Sequence, residues 1–124
     1  MLVYACNDLL FASKIGAAAS AAGLTARPAR TVEMLHKRLD RVDDGKPNDA
    51  VTAVWVDLER PDALELVRLA AGHAAGPAVL CFGPHVEVAG LRAAAAAGAE
   101  ALARGRFVAE LDARCEALTK LPGN

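Results

Sequence analysis

Short apolar runs alternate with longer amphipathic or alanine-rich segments along the whole chain. The third and fourth runs, which start at residues 50 and 77, are continuously apolar, as is typical of strands covered on both faces. The second run is weaker, because Pro28 is tolerated only at the end of a strand or on an edge strand. The pattern predicts five strands, with the sequences LVYAC, LTARPA, AVTAVWVDL, PAVLCFG and AEALA.

Five helices are predicted, one after each strand. Asn7 and Asp8 can cap the first helix, and Gly23 ends it. The second helix begins at a threonine cap and buries one stripe of regularly spaced residues, namely Val32, Leu35, Leu39 and Val42. Residues 43–49, DDGKPND, have the charge, glycine and proline of an exposed loop. The helical segments are LLFASKIGAAASAAG, TVEMLHKRLDRV, PDALELVRLAAG, HVEVAGLRAAAAAG and FVAELDARCEALTKL.

Strands that alternate with helices predict a parallel sheet with right-handed crossovers, and hence a three-layer α/β sandwich. We expect a single domain over residues 1–124, since the apolar segments are spread evenly. In open sheets of this kind, ligands bind beyond the carboxyl ends of the strands. The positions to examine for chemistry are therefore residues 6–8, 57–60, 83–85 and 104–106.

Composition narrows the classes of function. Fourteen basic and fifteen acidic residues give a formal charge of -1 without a basic block, so nucleic acid is not an expected partner. No apolar run approaches the roughly 18 residues of a membrane helix, and no membrane association is expected. Three widely spaced cysteines, with no metal-binding spacing, predict reduced side chains and a cytoplasmic location.

Three stretches make the chain similar to the receiver domain of bacterial response regulators. In VWVDLERPD, Asp57 ends a strand and Pro61 follows four residues later, as around the phosphorylatable aspartate of that family. PAVLCFGPH leads into a helix, and LRAAAAAGAEALARGRF is similar to the family ending AL-x-AGA-x-x-Y-L-x-KP-F. The resemblance implies a doubly wound sheet of strand order 2-1-3-4-5 with five helices, and a role in two-component signal transduction or a phosphorelay.

The catalytic positions depart from the family pattern. By the resemblance, the two adjacent acids that hold Mg²⁺ fall on Cys6 and Asn7, the Thr or Ser after the fourth strand falls on Gly83, and the Lys after the fifth strand falls on Gly105. Asp57 alone remains of five characteristic side chains. The resemblance therefore implies a degenerate, or pseudo-, receiver.

These replacements change the expected chemistry. Mg²⁺ prefers carboxylates and water, so a thiol at Cys6 and a neutral Asn7 form a poor site. Asp8 is the nearest other acid, but a helix cap points elsewhere, and at most a weak Mg²⁺ site at Asp57 and Asp8 is expected; no other cofactor is predicted. Phosphoryl transfer depends on positioning and on neutralisation of charge, so phosphorylation of Asp57 is expected to be slow or absent.

Several side chains keep two interpretations each. Asp57 can be a phosphate acceptor, or it can cap its turn or pair with Arg60, Arg104 or Arg106. Arg104 and Arg106 can contact an anion or lie in solvent, and His85 with the turn at Gly83 can bind an anion at a helix start or only begin that helix. Cys6 can be redox-active or a buried, inert thiol.

The leading hypothesis is an atypical receiver domain that acts through protein–protein contacts, without conventional Mg²⁺-dependent phosphorylation. In the family the surface of the fourth helix, fifth strand and fifth helix binds partners or a second copy. The corresponding residues here are Leu91, Arg92, Ala95, Leu102, Arg106 and Glu110. The alternative is a module that binds a small molecule, nucleotide or phosphate anion through the same loops. No enzyme is predicted, because no nucleophile–base pair or phosphate-binding glycine motif is present.

Overall fold

The computed structural model describes residues 1–43, 46–47 and 49–121. Its main sheet contains β1 (Leu2–Ala5), β2 (Ala26–Pro28), β5 (Ala53–Asp57), β6 (Ala78–Gly83) and β7 (Glu100–Ala103). All four pairings are parallel, in the order β2-β1-β5-β6-β7. Counted among these five strands the order is 2-1-3-4-5, which confirms the predicted fold class.

Five helices cover the two faces of the sheet, and local sequence sets their ends. They are α1 (Leu9–Ala22), α2 (Val32–Leu39), α3 (Ala63–Gly72), α4 (Val88–Ala96) and α5 (Arg104–Thr119). Asp8 caps α1 and Thr31 caps α2 through side-chain oxygens that accept backbone N–H groups. Gly23 ends α1 in the left-handed region, at a φ of 75°.

The core lies on both faces of the sheet. On one face the sheet packs against α2, α3 and α4, mainly through valine, leucine and alanine. The other face, under α1 and α5, holds an aromatic column in which Phe107 stacks on Phe82 at 4.3 Å between ring centroids and meets the edge of Trp55 at 5.2 Å. Phe11 stacks on Phe82 at 5.0 Å, so the column reaches the carboxyl edge of the sheet.

The predicted loop at residues 43–49 is partly wrong. Val42–Asp43 forms a short strand, β3, that pairs antiparallel with β4 (Lys46–Pro47). An Asp-Gly dipeptide at 44–45 is the sequence signal for such a hairpin; residues 44, 45 and 48 lie outside the described part of the chain.

The end of α2 and the start of α5 also differ from the prediction. Val42 is 46 % exposed and does not belong to the buried stripe of α2, because the helix ends at Leu39 and Arg41 turns the chain with a φ of 62°. Residues 104–106 are not a loop: α5 begins at Arg104, directly after β7. Of the helices formed by the described residues, none is long and apolar enough to cross a membrane.

Candidate functional site

Asp57 ends β5 and is buried at the carboxyl edge of the sheet, with 2 % of the residue exposed. Its Oδ1 accepts a hydrogen bond from the backbone N–H of Glu59 at 3.0 Å. The Cys6 thiol donates to Oδ2 at 3.4 Å. The carboxylate therefore caps the turn after its own strand and is covered by the residue that follows β1.

The guanidinium of Arg104 reaches this carboxylate from the first turn of α5. Its Nη2 lies 3.8 Å from Asp57 Oδ1 and donates to Glu59 Oε2 at 2.9 Å. The guanidinium carbon lies 5.5 Å from the centroid of the Phe11 ring, whose face attracts a cation. The hydrogen bond to Glu59 raises the pKa of Arg104, so this residue keeps a positive charge beside Asp57.

Asn7 is held by a second, deeply buried arginine. Its side-chain oxygen accepts from Arg60 Nη1 at 2.7 Å. The same guanidinium donates to both carboxylate oxygens of Asp62, at 2.8 and 3.0 Å, and to the backbone carbonyl of Arg30 at 2.9 Å. Arg60 is 8 % exposed, so these charge-assisted bonds join three separate segments in a dry environment.

The side chain of Asp8 caps the start of α1. Its Oδ1 accepts the backbone N–H groups of Leu10 and Phe11 at 3.0 and 3.1 Å. Asp8 is therefore a cap, and its carboxylate satisfies donors at the start of α1.

The donor set around Asp57 does not fit Mg²⁺. This ion requires about six oxygen ligands, preferably carboxylates and water. Asp57 faces a thiol and a guanidinium, and the oxygen of Asn7 already accepts from Arg60. Across residues 1–43, 46–47 and 49–121, no group of three or more His, Cys, Asp or Glu side chains is placed to hold a metal ion.

Leu58 fills the space above the position of the family's hydroxyl. A Cβ added to Gly83 would lie 2.8 Å from the Cβ of Leu58 and 2.9 Å from its Cδ2. At Gly90, in α4, an added Cβ would meet the same Cδ2 at 2.9 Å. An added Cβ at Gly105 has no neighbour within 4 Å. Gly83 therefore makes room for Leu58, whereas Gly105 stands at an open position.

The other proposed anion contacts do not gather at Asp57. Arg106 is 64 % exposed and donates to Glu110, one turn further along α5, at 2.6 Å. His85 is exposed in the turn between β6 and α4. Of the three arginines considered as partners of Asp57, Arg104 lies beside it, whereas Arg60 pairs with Asp62 and Arg106 with Glu110.

The residues expected at a partner surface are not all exposed. Arg92 and Ala95 of α4 are exposed, as is Arg106, and Leu91 and Glu110 are partly exposed. Leu102 is 3 % exposed and packs in the core under α1 and α5, so its assignment to that surface is wrong. The alternation of side chains along β7 points Leu102 inward.

The reactivity of Cys6 tests how well the Asp57 site is shielded from solvent. Burial, followed by its contacts with Asp57, raises the pKa of the thiol to about 11. Because the thiolate is the reactive form, we expect slow reaction with a disulfide reagent between about pH 7 and pH 9, with the rate rising about tenfold per pH unit. Peptide mass spectrometry after timed labelling measures this rate.

The Asp57→Asn variant is the matched comparison for Cys6. Removing the negative charge lowers the pKa of the thiol, so the variant should react faster at the same pH. A Cys6 rate that levels off below pH 9, or that is unchanged in Asp57→Asn, would contradict the described contact. Cys81 and Cys115 are both fully buried and serve as slow internal references.

Residues 57–60 were predicted from sequence to lie at this site, but the packing of Leu58 against Gly83, the pairing of Glu59 with Arg104 and the contacts of Arg60 were not predicted. The stretch LERPD does indicate an ion pair for Arg60, because Asp62 follows two residues later at the start of a helix. No local signal identifies its contact with Asn7, which is 53 residues distant in the chain.

Solved structures that are similar to this chain include response-regulator proteins. A response regulator from Thermotoga maritima superposes with a TM-score of 0.72 and 16 % identity, over 97 % of this chain and 98 % of that one. The receiver domain of a Francisella response regulator gives 0.71 and 16 %, over 96 % and 95 %. An orphan response regulator of H. pylori gives 0.70 and 20 %, over 94 % of each chain.

The chain therefore has the fold of a response-regulator receiver domain over nearly its full length. No protein-family model and no curated protein matches the sequence. The identities above are low enough that the likeness establishes the fold alone.

Proposed function

We propose that this chain is an atypical receiver domain that works in signalling through protein contacts, without Mg²⁺-dependent phosphorylation of Asp57. One observation carries the proposal: Asp57 is 2 % exposed, with a thiol on one carboxylate oxygen and the Arg104 guanidinium beside the other. The solved receiver structures of the same fold support its place in signalling.

The chemistry of phosphoryl transfer supports the proposal. An incoming phosphate must approach an ionised Asp57 in line, and a metal or fixed cations must neutralise the charge that builds up. Here the Arg104 guanidinium already lies 3.8 Å from Oδ1 and partly balances the charge of the carboxylate. Gly83 and Gly105 carry no hydroxyl or amine that could report a bound phosphoryl group to the surface. The domain would therefore keep a single conformation and would not switch between an inactive and a phosphorylated, active one.

The proposed contact surface lies on α4, β7 and α5. Arg92 and Ala95 provide exposed positions on α4, and Arg106 with Glu110 provides a charged pair on α5. We place either a signalling protein or a second copy of the chain on this face. We assign the domain no catalytic activity, and the free cysteines support a reducing, cytoplasmic location.

Incubation with acetyl phosphate and millimolar Mg²⁺ tests the proposal. We expect the intact mass to stay unchanged, because the acceptor oxygens are covered and the described residues form no metal site that would neutralise the reagent. A conventional receiver domain in the same solution is the positive control. A stoichiometric phosphoryl adduct that disappears in Asp57→Asn would overturn the proposal.

One observation favours the anion-binding alternative. Nε of Arg104 is buried and, within the described residues, makes no hydrogen bond, so an anion could accept from it. On this alternative phosphate or a nucleotide raises the unfolding temperature of the wild type but not of Arg104→Gln. If none of the phosphates and nucleotides in such a screen changed the unfolding temperature, the anion-binding alternative would be excluded.

A further inference from the structure

The opposite end of the sheet contains a cavity that the proposed function does not use. It has a volume of about 140 Å³ and lies between the amino ends of β5, β6 and β7 and the last turns of α5. Its lining residues are Ala53, Trp55, Ala78, Val79, Leu80, Glu100, Arg114, Ala117 and Leu118. Asp57 ends the same strand that Ala53 begins, so the cavity and the Asp57 site lie at opposite edges.

Small side chains create this cavity. Ala53 is buried at its floor, while Ala78 and Ala117 stand at its exposed mouth. The larger walls are apolar, and Trp55, at 3 % exposure, is held edge-on against Phe107. Three alanines therefore leave a space that the surrounding larger side chains do not fill.

The polar groups at the mouth are already paired. Arg114 donates to both carboxylate oxygens of Glu100, at 2.9 and 2.7 Å. Its Nε and Nη2 also donate to Glu110, at 3.1 and 2.8 Å. All three guanidinium nitrogens are thus engaged, and a charged ligand would have to break an ion pair to bind.

We propose that this cavity binds a neutral, apolar molecule the size of a single aromatic ring. An enclosed apolar cavity of about 150 Å³ takes up benzene, whereas drug-sized or nucleotide ligands need about 300 Å³ or more. The pocket here has a similar volume but is open to solvent on one side, so a bound ring would be partly covered. The lining offers contact with Trp55 and alkyl groups, and no unpaired charge. The site would respond to small hydrophobic compounds independently of Asp57.

Toluene is a suitable probe, and Trp55 is the single tryptophan of the chain. We expect a saturable change in Trp55 emission on titration with toluene, together with a higher unfolding temperature at saturation. Ala117→Leu should weaken binding at least tenfold, because the larger side chain enters the mouth. Leucine keeps helix propensity close to that of alanine, so the variant should fold.

Ala113→Leu is the matched control, because Ala113 is also exposed on α5 but does not line the cavity. This variant should bind toluene like the wild type. If Ala117→Leu fails to fold, Ala78→Leu tests the mouth from the strand side. The proposal would be overturned if Trp55 emission showed no saturable change up to the aqueous solubility of toluene. It would also be overturned if the variants with a blocked mouth bound toluene as well as the wild type does.

Discussion

Arg60→Ala is expected to lower the free energy of unfolding by about 3 kcal/mol, among the largest effects of any substitution in this chain. The guanidinium is buried, and it makes four hydrogen bonds to Asp62, Asn7 and the backbone of Arg30. Its removal leaves the partly exposed Asp62 carboxylate without its cation, and leaves the Asn7 side-chain oxygen and the Arg30 carbonyl without this donor. Urea denaturation followed by circular dichroism measures the loss.

Arg106→Ala is the control for this prediction. Arg106 is exposed and pairs with Glu110 on the same helix, and such surface pairs contribute less than about 0.5 kcal/mol. Arg60→Lys should recover only part of the loss, because an ammonium group cannot make the forked bond to Asp62. Equal stability of Arg60→Ala and Arg106→Ala would show that the Arg60 cluster does not join the segments as described.

Gly83→Ser is expected to cost about 2 kcal/mol, although it restores the hydroxyl that the receiver family carries at this position. The new Cβ would lie 2.8 Å from the Cβ of Leu58, so the backbone of the loop after β5 must move. Shortening Leu58 to alanine should not rescue the variant, since the clash with its Cβ would remain. Thermal and urea unfolding of Gly83→Ser and of the double variant with Leu58→Ala measure the loss of stability and the absence of rescue.

Two other glycines provide controls for the Gly83 prediction. Gly105→Ala should be neutral or slightly stabilising, because nothing lies within 4 Å of the new Cβ at the start of α5. Gly90→Ala meets only the flexible end of Leu58, and Leu58→Ala should remove that contact. A Gly83→Ser variant as stable as Gly105→Ala would contradict the packing of Leu58 over Gly83.

The fold was predictable because each buried strand and each helix has its own local signal. Continuous apolar runs identify β5 and β6, and Asp8 and Thr31 identify the starts of α1 and α2. The β3–β4 hairpin was missed, since two-residue strands leave no periodic pattern. Helix ends were least certain, because the first turn of α5 carries arginines and a glycine that are equally typical of a loop.

Sequence predicted where the site lies but not its contacts. It pointed to Asp57 and the positions around it, but Arg60, Arg104 and Arg106 looked equally able to reach the carboxylate. The structure distinguishes the three arginines. Arg106 pairs with Glu110, one turn along the same helix, and Arg60 pairs with Asp62 at the start of α3. The contact of Leu58 with Gly83 depends on the register of β5 and β6, which pairs Asp57 with Phe82.

Beryllofluoride binding, followed through backbone amide resonances, tests most directly whether the Asp57 site is closed. The amide of Glu59 donates to Asp57 Oδ1 and the thiol of Cys6 to Oδ2, so the amide resonances of Cys6, Leu58 and Glu59 would report a bound tetrahedral fluoride complex. With beryllofluoride and millimolar Mg²⁺ we expect these resonances to stay at their positions, as they should in Asp57→Asn. Saturable shifts at these amides in the wild type, absent from Asp57→Asn, would contradict the account.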